Sequence, residues 1–132
     1  MRNKLYSVLL CLTIITGLIF FQASCKKSPV WDSSKFAGNY MGAETCLLTS
    51  PQSSTISIVA TSATQISITN LYGLGKSLVG SVSHDTCTIQ PQICDTFVMQ
   101  GILILSSDSL NLAIIASSFG KEDKCNAILI KQ

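Results

Sequence analysis

Arginine occurs once in this chain, at Arg2, histidine once, at His84, and tryptophan once, at Trp31. There are three prolines, and charged side chains make up only 12% of the 132 residues. Each scarcity removes a class of function. From residue 25 onward seven lysines stand against seven carboxylates. No basic patch is left for nucleic acid, and no acidic run for a cationic partner. The formal +2 belongs to Arg2 and Lys4. A zinc site would have only Cys46, Cys87, Cys94, Cys125 and His84 to draw on, without close Cys-x-x-Cys pairs. Helical periodicity is missing from residue 36 on, and no connection is long enough for parallel crossovers.

What is present starts with a run. Residues 5–24 carry no charge and are dominated by Leu, Ile, Val and Phe. A run of that length could span a bilayer, which takes roughly 20 apolar residues. The small side chains of Ala23 and Ser24 before Cys25 instead suit a peptidase pocket, and the basic flanks are nearly symmetric. The stretch Gln22-Ala23-Ser24-Cys25 resembles the lipobox of bacterial lipoproteins, with Gln22 where that pattern prefers Leu. The resemblance implies that residues 1–24 are a signal peptide and that Cys25 carries the acyl chains. Lys26 after the cysteine, in place of Asp, implies the outer membrane. The absence of an acidic cluster after Cys25 favours the periplasmic face. Residues 25–35 read as a lipidated tether holding Ser28, Pro29, Ser33 and Ser34, with Trp31 expected to pack on the end of the domain.

Residues 36–132 read as a single β domain. Short alternating runs recur between Ser, Thr, Gly, Asn, Asp and Pro. The expected strands are 38–48, 55–58, 65–69, 77–83, 86–90, 95–105, 109–116 and 124–131. Turns fall at 49–53, at His84-Asp85, at Pro91-Gln92 and at 106–108, with loops at 70–76 and 117–123. The fold expected is an all-β, antiparallel eight-stranded meander closed into a barrel, with a two-sheet sandwich as the alternative. Ile56, Ile58, Ile66, Ile68, Leu78, Val82, Ile89, Phe97, Leu110, Leu112 and Ile114 share the inner side of that pattern. In 102–105 and 127–130 both faces are apolar, so the inward one is not decided. One of the two could be a binding surface or a covered strand.

Four cysteines in an exported domain imply two disulfides. The first and last strands of a closed meander are neighbours, which allows Cys46–Cys125. Cys87 and Cys94 flank Pro91 and would staple that hairpin.

The opening Phe36-Ala37-Gly38-Asn39-Tyr40, the first-strand Cys46, the Thr/Ser-Ile strands and the last-strand Cys125 resemble the lipocalin-like lipoproteins of Bacteroidota-type bacteria. The resemblance covers the whole of the domain. It implies a β-barrel at the outer membrane. Lipocalins place Trp after the Gly-x pair and pack it under a late Arg. Tyr40 stands at that position here, and no late Arg exists.

Other chemistry is thin. Residues 70–77 approach a phosphate loop, but Asn70 replaces its first glycine and two strands flank it, so a flexible loop is expected. His84 and Asp85 are adjacent and point apart, which suits an exposed turn. Glu44 is expected on the solvent side of its strand, and Lys121-Glu122-Asp123-Lys124 as a solvated turn. The chain is therefore expected to be a non-enzymatic, monomeric lipoprotein without cofactor. Its barrel would bind a small apolar ligand or lipid, lined by Tyr40, Phe97, Phe119, Ile56 and Ile58. The alternative is a packed module docking on another envelope protein through 70–76 or 117–123.

Overall fold

A computed structural model describes residues 32–50 and 52–132. The signal peptide, Cys25, Trp31 and residues 25–31 of the tether lie outside the described residues. The strands are β1(Gly38–Cys46), β2(Gln52–Ser62), β3(Gln65–Thr69), β4(Ser77–Ser83), β5(Thr86–Cys94), β6(Phe97–Ser106), β7(Ser109–Ser118) and β8(Lys121–Lys131). They pair in sequence order, all antiparallel, and β1 pairs with β8. The sheet is thus a closed barrel, which leaves no exposed edge, and the sandwich alternative falls.

Alternation decides the inside. Tyr40, Ile56, Ile58, Ile66, Ile68, Leu103, Leu110 and Leu129 are all at most 2% exposed. The expected inner set is buried throughout except Phe97, which packs half-buried on the edge of the core. In the ambiguous strands, Leu103, Ala127 and Leu129 point in, while Ile102, Ile104, Ile128 and Ile130 point out.

One end is closed by the chain itself. Residues Asp32–Phe36 form a 3-10 turn, so the tether expectation ends too late by four residues. Ser33 donates from its hydroxyl to Ser62 O and from its N–H to Ala63 O. Phe36 is fully buried and accepts the Tyr40 hydroxyl at 3.0 Å. Lys35 adds exposed ion pairs to Asp32 and Asp85, each of small weight.

Three further expectations are corrected. Pro91 does not end a strand: β5 runs through it, with a bulge between Ile89 and Gln92 where the proline needs no partner for an N–H. Cys87 and Cys94 therefore lie on one strand, roughly 20 Å apart along it, and both are buried thiols. The hairpin they were expected to staple does not exist. Residues 121–124 are the start of β8 rather than a turn; the turn is Phe119-Gly120. The Cys46–Cys125 disulfide is present and joins β1 to β8 at the seam of the barrel.

Candidate binding site at the barrel mouth

The end opposite the 3-10 plug is the mouth. It is bordered by residues 47–50, by the short 3-10 turn Leu71–Gly73, by Asp95-Thr96 and by Phe119-Gly120. Asp123 organises it. It alternates with Cys125, Ala127 and Leu129, points inward, and is only 4% exposed. Its carboxylate accepts the Leu48 N–H, the Thr49 hydroxyl and the Tyr72 hydroxyl, each at 2.9 Å. Burial raises the pKa of this carboxyl, but the hydrogen bonds from Leu48, Tyr72, Thr49 and the Leu47 N–H outweigh it and hold the group below the usual value. The same burial pushes the Tyr72 hydroxyl up. One carboxylate thus ties two separate segments, the β1–β2 connection and the 3-10 turn at Tyr72, to β8.

Glu44 is the second inward carboxylate. It is 3% exposed and accepts the Ser54 hydroxyl at 2.8 Å. The solvent-side expectation is overturned because Glu44 shares a face with Tyr40, whose ring fills the core. Glu44, Cys46, Thr49, Ser50 and Tyr72 line a small polar recess of about 60 Å³.

Beside it runs a groove of about 340 Å³ lined by Leu48, Thr49, Tyr72, Phe97, Phe119 and Asp123, among others. Its walls are apolar and its floor is oxygen-rich. Tyr72 and Phe97 meet edge to face with ring centroids 5.5 Å apart. Phe119 sits at the tip of the last hairpin, 95% exposed, in the left-handed region at φ 49°. Leu47, Leu48 and Ile93 around the same end are exposed by 73%, 63% and 83%.

Of the expected ligand-lining residues, only Phe97 and Phe119 reach this groove, and Phe119 does so from outside the barrel. Tyr40, Ile56 and Ile58 are packed into the core and do not line this groove. The interior is filled rather than hollow. Asp123, Thr49, Tyr72 and Leu48 were not expected here. The spacing of Asp123 from Cys125 and Leu129 carried the signal, hidden by the charges of Lys121, Glu122 and Lys124 on either side.

The remaining candidates lie elsewhere. His84 is exposed in the turn at the plugged end, its Nδ1 3.3 Å from the neighbouring Ser83 hydroxyl. Cys46, Cys125 and Asp123 come together as a metal site would need, but the two sulfurs are spent on the disulfide. The loop over 70–76 satisfies itself: Asn70 donates from its side chain to Thr55 O and accepts the Gly75 N–H. Comparison with known protein families and with curated proteins finds no match for this chain.

Proposed function

We propose that this chain is a non-catalytic, lipid-anchored bacterial envelope protein that binds a small apolar ligand at the mouth of a packed barrel. The anchor is Cys25 and the location the outer membrane, on its periplasmic side. The observation that carries the binding reading is Phe119. A β-turn of this kind favours Asn or Gly at that position, because φ is positive at both central residues, 49° at Phe119 and 74° at Gly120. A phenylalanine there is both strained and almost wholly in water, which folding alone does not favour. It gains a purpose as one wall of the groove. A volume of about 340 Å³ lies at the small end of ligand sites. The oxygens of Asp123, Thr49 and Tyr72 at the floor favour a ligand that brings a hydrogen-bond donor.

The Tyr40 ring under the Lys131 ammonium, 5.8 Å from the ring centroid, supports the lipocalin-like reading. It sets an aromatic and a late cation where the resemblance implies Trp and Arg. A second reading, docking of a partner protein on the mouth, is favoured by Leu47 and Ile93, which are exposed at the rim but do not line the groove.

The test uses a neutral fluorescent probe, N-phenyl-1-naphthylamine, with the purified protein. Saturable uptake is expected, weakened about tenfold in Phe119→Ser, since that is what about 1.4 kcal/mol of lost apolar contact gives. Uptake indifferent to both Phe119→Ser and Phe97→Ala overturns the site. The anchor is tested separately: the mature protein should carry acyl chains on Cys25, and Cys25→Ser should lack them.

A further inference from the structure

The outside of the barrel is two-faced. Over β2–β5 the outward positions are mostly hydroxyl or amide residues, such as Thr55, Ser57, Ser67, Ser81 and Thr88, with Val59, Val79 and, toward the mouth, Pro91 and Ile93 as the apolar exceptions. Over β6, β7, β8 and β1 they turn aliphatic. Ile102, Ile104, Ile128, Ile130 and Met41 stand out with 45–64% of their surface in solvent.

The register makes this one patch. Ile104 is opposite Asn111, which is opposite Ile128; Ile102 is opposite Ala113; Met41 is opposite Ile130. The small side chains of Ala43 and Ala113 leave a shallow groove of about 600 Å³ between Ile102, Ile104 and Ile128. The outward positions of β6 from Ile102, of β7 as far as Ala113, of β8 from Asn126 and of β1 as far as Thr45 bear no charge.

The place of the patch is informative. Met41 is near the start of β1, Ile104 near the end of β6, and Ile128 and Ile130 near the end of β8. All four are in the half of the barrel where the 3-10 plug brings the chain in. Seven residues, 25–31, separate the Cys25 end from that plug, a reach of at most about 25 Å. The longest strands, of 11 residues, extend roughly 36 Å. A lipid on Cys25 therefore keeps the plugged end, with its aliphatic wall, next to the bilayer.

We infer that the aliphatic wall of β6, β7, β8 and β1 lies on the lipid surface, so that the barrel is held with its plugged half against the membrane and its mouth turned away. The inference rests on the Cys25 anchor proposed above. The barrel lies on the bilayer rather than crossing it: its inside is apolar and half its outside carries hydroxyls, the reverse of a membrane-spanning barrel. Lys35 and Lys131 share that end with Asp85 and Asp108, so the attraction is apolar rather than electrostatic. One-sided burial of such a wall is the β-sheet counterpart of an amphipathic surface helix.

The full lipidated chain, reconstituted into vesicles of phosphatidylethanolamine and phosphatidylglycerol, tests this. Ile128→Trp on the aliphatic wall and Ser81→Trp at similar height on the opposite wall are each made with Trp31→Phe. Brominated acyl chains should quench Ile128→Trp about threefold more than Ser81→Trp, while aqueous iodide should quench Ser81→Trp more. Equal quenching by bromolipid overturns the inference. So does an Ile128→Trp shielded from both quenchers, which would mean that a second copy or another protein covers the wall. If Ile128→Trp does not accumulate, Ile130→Trp reads the same wall. If the mass shows no acyl chains on Cys25, the anchor reading fails by itself. The same pair, added to vesicles from solution, still decides the wall.

Discussion

Asp123 shows how much one residue can hold at the mouth. Its pKa is lowered, so its stabilising contribution is complete above the ordinary carboxylate range and is lost as pH falls through the lower folded value. Asp123→Asn should therefore melt lower than the wild type at neutral pH. It should also lose less on acidification to about pH 3, as read by melting temperature against pH. Cys87 is the opposite case. Burial pushes its thiol up to about 12, and Cys94 is raised for the same first reason. Neither should react with iodoacetamide in the native state at neutral pH, and both should in denaturant. Reduction should add about 2 Da, the mark of one disulfide. Phe119 is the residue at which folding and binding disagree. Phe119→Asn should raise the melting temperature by a few degrees, worth up to about 1 kcal/mol, because an Asn-Gly pair suits the turn. It should also weaken probe uptake about tenfold, as Phe119→Ser does. Calorimetry and probe titration on one sample check both.

Among the elements, β5 is the one that departs from regularity. Its backbone pairs with β4 only over Ser81–Ser83. Beyond the bulge, the Gln92 carboxamide takes over: it accepts the Val79 N–H at 2.9 Å and donates to Val79 O at 2.6 Å. A side chain thus closes the ladder that Pro91 interrupts. Gln92→Leu should destabilise by about 1–2 kcal/mol, with faster hydrogen exchange at the Val79 amide as the specific sign. Proline chemistry made this strand look like two pieces in the sequence, because a bulge and a turn use the same residues. The hairpins at His84-Asp85 and Ser107-Asp108 were legible, since their polar residues interrupt clean alternation. The 121–124 start of β8 was not, because three of its four charged side chains face water and masked the strand period.

At the scale of the whole molecule, closure carries both stability and orientation. The Cys46–Cys125 bridge spans 79 residues and ties the first strand to the last. Replacing both cysteines by serine should cost about 4 kcal/mol on the chain-entropy view, measured by chemical denaturation. Closure also sorts the aliphatic residues between the core and the outer wall. The sequence by itself determined the all-β class, the antiparallel order and most of the core, and it allowed the seam disulfide without fixing it. Period-two alternation and short connections are local properties that leave few other arrangements. Only the tertiary structure decided which apolar face of 102–105 and 127–130 points inward, since both faces are apolar and a one-residue shift exchanges them. It alone filled the barrel with Tyr40 and its neighbours, turned Glu44 and Asp123 inside, and moved the candidate site to the mouth. Those outcomes depend on the packing of side chains from distant strands, which no local pattern encodes.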